Sequence, residues 1–115
     1  MDKHIQISML CEIYGKLLTE KQYSVLNDYY NNDLSLSEIA EIHHISRQCV
    51  RDFIMKGEGK LFEYEEKLGI MKKTQRQEKQ IQTILSQISE IQNNSSDKKI
   101  EKILNEVQKE LSVLV

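Results

Sequence analysis

A serine, two arginines and a glutamine stand close together near the middle of the chain, in an order suited to reading nucleic acid. Ser46 can cap a helix through its hydroxyl, and Arg47, Gln48 and Arg51 follow it directly. Guanidinium and amide groups can form paired hydrogen bonds with purine edges or single bonds with phosphates. If these residues open a helix, they form a candidate surface for binding duplex DNA.

Further basic residues follow the same segment. Lys56 and Lys60 lie one to three helical turns beyond Arg51, where we expect them near the phosphate backbone. Residues 43–60 hold four basic and two acidic side chains, a net charge of +2. Because this excess is small, the electrostatic contribution to nucleic-acid binding should be local and modest.

A second basic run has two interpretations. It comprises Lys72, Lys73, Arg76 and Lys79. The interpretation we favour is a solvated helix face, and the alternative is a secondary contact with phosphates.

The elements that must position these side chains begin at Ser35. Glu38 follows three residues later, which predicts a capping box at the start of a short helix. Apolar residues then recur at helical spacing on both sides of Ser46, and they are Ile39, Ala40, Ile45, Val50, Phe53, Ile54 and Leu61. A short helix, a tight turn and a longer helix make a helix-turn-helix motif, whose second helix enters the DNA major groove.

Two features strain this pattern. His44 occupies the turn position that needs a positive φ and is most often glycine, although His is one of the tolerated exceptions. Gly57 and Gly59 fall inside the second helix, where each costs about 1 kcal/mol relative to Ala. We therefore predict a bend or frayed turn at residues 57–59.

Elsewhere the sequence predicts an all-α chain. It contains no Pro and only four Gly, with apolar residues spaced by three and four throughout. A first helix is expected near Ile5–Leu18, and a Thr19–Gln22 capping box should open the second, with Tyr23 and Tyr30 packed in the core. Gly69 should end the helical segment at residues 61–68, which continues the second helix of the motif.

The last third of the chain has a different character. Ile-rich stripes on either side of a polar loop at residues 93–97 predict a helical hairpin, with Ser96 or Asp97 as the N-cap of the last helix. We therefore divide the chain into a helix-turn-helix domain at residues 1–70 and a C-terminal hairpin at residues 71–115. Because two helices alone hide such stripes poorly, we expect them to pack on the N-terminal domain or on a second copy, and we favour a homodimer.

The residue types and their spacing narrow the range of functions that we expect. No catalytic, metal-binding or phosphate-loop pattern is found, so we predict no enzymatic activity, cofactor, metal or small-molecule substrate. Cys11 and Cys49 are interpreted as small buried residues in a reducing compartment. The N-terminus has no signal-peptide pattern and no segment is apolar enough to span a membrane, so we expect a cytoplasmic protein with no membrane partner.

Charge is unevenly distributed along the chain. Residues 1–71 hold 8 basic and 12 acidic side chains, whereas residues 72–115 hold 8 and 6. An N-terminal domain with a net charge of −4 is an unusual binder of a polyanion, which keeps a protein partner among the alternatives.

The segment starting at Ser46 resembles the end of region 4 of bacterial sigma factors. The chain as a whole resembles the YlxM family of small bacterial helix-turn-helix proteins. The matching motifs are YG-x-LLT-x-KQ from residue 14, YY-x-x-D from 29, LSEIAE from 36, SRQ-x-V-x-D-x-I from 46 and EYEEKL from 63. They cover about the first seventy residues, whereas the remainder matches only as a helical hairpin.

This resemblance implies a sigma region 4-like fold, DNA binding by the motif and an association with the signal recognition particle pathway, because the family's genes lie beside that of the particle's GTPase. The leading hypothesis is therefore a DNA-binding regulatory protein linked to protein targeting. One alternative is an interaction module that contacts the protein or the RNA of the particle. A second alternative is a standalone transcription regulator.

Overall fold

A computed structural model describes residues 2–94 and 96–114, and along these residues it contains helices and no strand. The helices, in chain order, are α1 (Lys3–Tyr14), α2 (Glu20–Tyr30), α3 (Leu36–His43), α4 (Arg47–Leu68), α5 (Ile70–Asn94) and α6 (Lys98–Ser112), with a short 3-10 turn at Gly15–Leu17 after α1. The predicted all-α class is confirmed. None of these helices combines the length and the apolarity that crossing a bilayer requires.

The chain divides into two compact units, and the division falls after Met71, inside α5. The N-terminal unit contains α1 to α4, with α4 in contact with each of the other three helices. Its core consists of buried residues from all four helices, from the segment between α1 and α2 and from the start of α5, namely Ile7, Leu10, Cys11, Tyr14, Leu18, Val25, Leu26, Tyr30, Ile39, Val50, Ile54, Leu61 and Met71.

Local side-chain caps set the helix starts in this unit. The Gln22 N–H donates to Thr19 Oγ1 and the Thr19 N–H donates to Gln22 Oε1, both at 3.2 Å. This is the predicted capping box, and it satisfies two backbone donors that no helical carbonyl could reach.

The two tyrosines expected in the core of α2 behave differently. Tyr30 is buried, as predicted, but Tyr23 is 42% exposed and its ring covers Gly15. A Cβ atom at Gly15 would lie 2.7 Å from the Tyr23 ring. The prediction for Tyr23 is therefore wrong, because the 3-10 turn leaves a glycine surface for the ring to pack on at the edge of the core.

Glu58 is an acidic residue of α4 that points towards α1 and α2. Its carboxylate accepts a hydrogen bond from the Tyr30 hydroxyl and lies 3.3 Å from Lys3 Nζ. Burial, and then the charge of Glu58, raise the pKa of the Cys11 thiol to about 11. Cys11 is therefore a protonated core residue at neutral pH, in keeping with its predicted packing role.

The end of α4 is fixed by a glycine and a carboxylate. Gly69 has a φ of 63° and donates its N–H to the Glu65 carbonyl, which confirms it as the helix stop. Glu65 Oε1 accepts the Tyr14 hydroxyl at 2.8 Å and the Met71 N–H at 2.9 Å, so one side chain links α1 to the first turn of α5.

Helix α4 runs through its two internal glycines as one continuous helix, so the predicted frayed turn is wrong. Gly57 is buried, and a Cβ atom there would lie 2.6 Å from Leu26 Cδ1. Packing against α2 and α1 therefore holds the helix where its own propensity is weak.

The C-terminal unit is a hairpin of α5 and α6. Asp97 caps α6 by accepting the Lys99 N–H at 2.9 Å, and Gln92 Nε2 donates to Asn105 Oδ1 at 2.8 Å across the hairpin. Helix α5 continues to Asn94, so the predicted loop is shorter than residues 93–97; Ser95, also assigned to it, lies outside the described residues. Ile88 is the only residue of this unit that is fully buried among those described.

The two glycines of α4 form a matched pair for a stability test. We expect Gly57→Ala to lower the free energy of unfolding by about 1–3 kcal/mol, because the added methyl group overpacks the core at Leu26. Gly59→Ala should raise it by up to about 1 kcal/mol, because no atom lies within 4 Å of the new Cβ atom and Ala favours the helix. Urea unfolding monitored by circular dichroism measures both, and equal effects would contradict the packing shown at Gly57.

Candidate nucleic-acid interface

The motif consists of α3, a three-residue turn at His44–Ser46, and α4. Ser35 Oγ accepts the Glu38 N–H and Glu38 Oε1 accepts the Ser35 N–H, both at 3.1 Å. The predicted capping box at the start of α3 is therefore present, and it fixes where the first helix of the motif begins.

The turn depends on His44, which has a φ of 55° and a ψ of 44°. The Ile45 N–H donates to the Ala40 carbonyl at 3.0 Å, and the His44 N–H reaches the carbonyls of the preceding turn. This is a left-handed helix stop in a residue other than glycine, which confirms the positive φ expected at this position.

Apolar anchors hold the second helix on the first. Val50 and Ile54 are buried with Ile39 of α3, and Ala40, Ile45 and Phe53 are half-buried around them. The anchors occupy one side of α4, so the opposite side of its first turns faces solvent.

The predicted site residues at the start of α4 lie on that free side. Arg47, Gln48 and Arg51 are exposed, and among the described residues neither arginine forms an ion pair. Ser46 Oγ accepts the Cys49 N–H at 3.0 Å, so its hydroxyl caps the helix. Gln48 Nε2 donates to Asp52 Oδ1 at 3.2 Å, which places an acidic group within the surface.

Lys56 and Lys60 are exposed but do not extend the arginine cluster directly. Lys56 follows Arg51 by five residues, which corresponds to about 140° of rotation around the helix axis. The two lysines therefore lie along the other edge of the exposed face of α4. A nucleic acid that contacted both edges would have to span the width of the helix.

The second basic set belongs to the C-terminal unit. Lys72, Lys73, Arg76 and Lys79 are exposed along α5. Arg76 and Lys79 line an open depression together with Gln80, Thr83 and Ile84. Both interpretations of this run, a solvated face or a phosphate contact, remain open predictions.

One polar contact between the motif and α2 was not predicted from the sequence. His43 Nε2 lies 3.1 Å from Asp28 Oδ2, and both side chains are mostly buried. This contact ties the last residue of α3 to α2 next to the turn. The two residues are fifteen positions apart, so no local pattern could have paired them.

The surface shows nothing that points to metal chemistry. Within residues 2–94 and 96–114, no group of three or more His, Cys, Asp or Glu side chains is placed to hold an ion. The geometry is that of a helix whose first turns present two cations and an amide to solvent.

Comparison with known families agrees with this geometry. Residues 1–110 match the family model described as "Putative helix-turn-helix protein, YlxM / p13 like", UPF0122. The chain belongs to this family. The match includes the motif and most of the C-terminal hairpin of this YlxM-like chain.

Relatives of similar length are found in species of Clostridium and Acetivibrio. A UPF0122 protein of Clostridium botulinum is 46% identical over 90 residues, covering 78% of this chain and 83% of that protein. One from Clostridium perfringens is 40% identical over 111 residues, covering 96% and 97%. One from Acetivibrio thermocellus is 41% identical over 115 residues, covering 100% and 98%.

The positive φ of His44 leads to a prediction about the stability of the protein. His44→Gly should raise the free energy of unfolding by about 1 kcal/mol, because glycine adopts a positive φ without a Cβ clash. Gly69→Ala is the matched control at the other left-handed stop and should lower it by a similar amount. A destabilised His44→Gly protein in urea unfolding would show that the imidazole contributes more than its place in the turn.

Proposed function

We propose that this YlxM-like chain is a non-enzymatic, cytoplasmic regulatory protein that binds duplex DNA through the first turns of α4. The observation that supports this proposal is the exposed set Arg47, Gln48 and Arg51 on a helix capped by Ser46. The anchors and the His44 turn hold that helix end outwards, where its side chains can reach a major groove. Lys56 and Lys60 add charge for the flanking phosphates.

The regulatory role that we propose lies in the signal recognition particle pathway. This part rests on the family resemblance. A role as a standalone transcription regulator would use the same surface on DNA without any link to targeting.

The second candidate is an interaction module that contacts the protein or the RNA of the particle. The net charge of −4 over residues 1–71 favours it, because an acidic body opposes close approach to duplex DNA. An RNA would be recognised by shape and by unpaired bases rather than by a helix in its narrow major groove. Lys72, Lys73, Arg76 and Lys79 would then matter more than Arg47.

The two candidates differ in which variant abolishes binding. If DNA is bound at α4, Arg47→Ala/Arg51→Ala should weaken binding of mixed-sequence duplex and reduce the dependence of log K on log salt by about 2. Arg47→Ala alone should cost about 1–3 kcal/mol at one base position if a base edge is read. Fluorescence anisotropy at low and physiological salt measures both effects.

Matched control variants distinguish the loss of a specific binding site from a general loss of positive charge. Lys16→Ala/Lys21→Ala removes two exposed cations that lie outside the motif and should leave duplex affinity nearly unchanged. Lys73→Ala/Arg76→Ala/Lys79→Ala should weaken binding of signal recognition particle RNA in the second candidate and spare the duplex. Equal duplex affinity in the Arg47→Ala/Arg51→Ala protein would remove the motif from the interface.

We also propose that the C-terminal hairpin makes the protein a homodimer. The apolar row Ile100, Ile103 and Val107 of α6 is exposed, with Ile103 at 60%, and no described residue of α6 is fully buried. Ile84 and Ile91 of α5 are exposed as well. Two hairpins packed together would bury these rows in a four-helix arrangement.

Sedimentation velocity at several concentrations tests the dimer. Ile103→Glu/Val107→Glu should abolish association through the hairpins because it places two carboxylates in the apolar row. Lys109→Glu, on another side of α6, should leave the dimer intact. A wild-type protein that is monomeric at every concentration would exclude the homodimer.

A further inference from the structure

Helix α4 carries an exposed apolar pair that the fold does not use. Met55 is 69% exposed and Phe62 is 38% exposed. They are seven residues apart, so they lie on the same side of the helix, separated by about 10.5 Å along its axis. The buried side of α4, at Val50, Ile54 and Leu61, points the other way.

Gly59 lies on the same exposed side, between the two apolar residues. Its place has no explanation in the packing of the chain, because a Cβ atom there would meet nothing within 4 Å. Gly57 differs, because Leu26 occupies the space that its side chain would need. A helix glycine that costs about 1 kcal/mol and serves no internal contact leaves room for another backbone to approach from outside.

The charges that flank this pair are arranged symmetrically. Arg51 lies four residues before Met55, and Glu66 lies four residues after Phe62. Both are exposed, and within the described part of the chain neither forms an ion pair. The midpoint between Arg51 and Glu66 is also the midpoint between Met55 and Phe62, and it falls beside Gly59.

This symmetry makes the strip complementary to itself. We propose that a second copy of the chain packs its α4 antiparallel on the strip, crossing at Gly59. A two-fold axis at this point places Met55 against the partner's Phe62 and Arg51 against the partner's Glu66. An isologous contact of this kind uses the same residues on both copies.

Self-association would have a direct consequence for the surface described above. Arg51 is shared by both contacts and Gln48 lies at the end of the same strip, so α4 pairing and nucleic-acid binding exclude each other. This consequence rests on the proposed function, whereas the pairing itself does not. Because the contact uses one helix face, we expect weak, concentration-dependent association.

Charge reversal tests the pairing without any nucleic acid. Arg51→Glu and Glu66→Arg should each weaken self-association roughly tenfold, because two attractive pairs become repulsive. The double variant Arg51→Glu/Glu66→Arg should restore it. An equimolar mixture of the two single variants should also associate, since each supplies the charge that the other lacks.

Sedimentation equilibrium of the full chain provides the measurement, and a parallel set carrying Ile103→Glu/Val107→Glu separates this contact from the hairpin. Gly59→Leu should block pairing without loss of helix content, and Lys21→Glu is the control for charge reversal elsewhere. The proposal is overturned if the single variants associate like the wild type, or if the double variant and the mixture stay dissociated. Either result would leave the nucleic-acid proposal unaffected, because the anisotropy titrations test that proposal separately.

Discussion

The contact on which the N-terminal unit depends is the packing of α4 against α2 at Gly57. Leu26 fills the space where a side chain at Gly57 would stand, so the two helices approach closely at this point. The same side of α4 carries Val50, Ile54 and Leu61 into the core beside α1 and α3. Tertiary burial therefore compensates for the poor helix propensity of the glycine segment, and α4 remains a single continuous helix.

The two ends of α4 belong to the same continuous helix. Its first turns are set by Ser46 and the anchors of the motif, and its last turn by Gly69 and the carboxylate of Glu65. A helix held at both ends and along one side must present its remaining side to solvent as one continuous strip. Arginines, an amide, an acid, two apolar residues and a glycine occupy that strip, so the proposed contact with nucleic acid and the proposed contact with a second copy both fall on it.

The candidate site could be anticipated where its determinants are local. Caps are read from residues three positions apart, which is why Ser35–Glu38 and Thr19–Gln22 were predicted and found. The left-handed turn at His44 followed from its position between two helices. The His43–Asp28 contact depends on how α3 packs against α2, and residue spacing alone did not reveal it.

By itself, the sequence determined the all-α class, the family, the helix caps and the residues that open the second helix of the motif. The family follows from the matching motifs. The other features follow from periodicity and short-range hydrogen bonding, which involve residues within one or two helical turns. Only the tertiary structure decided that Gly57 is a core contact and Gly59 is open surface, that Tyr23 lies at the edge of the core, and that Met55 and Phe62 stay exposed. Those outcomes depend on which neighbour fills the space beside each residue, and the neighbours come from distant parts of the chain.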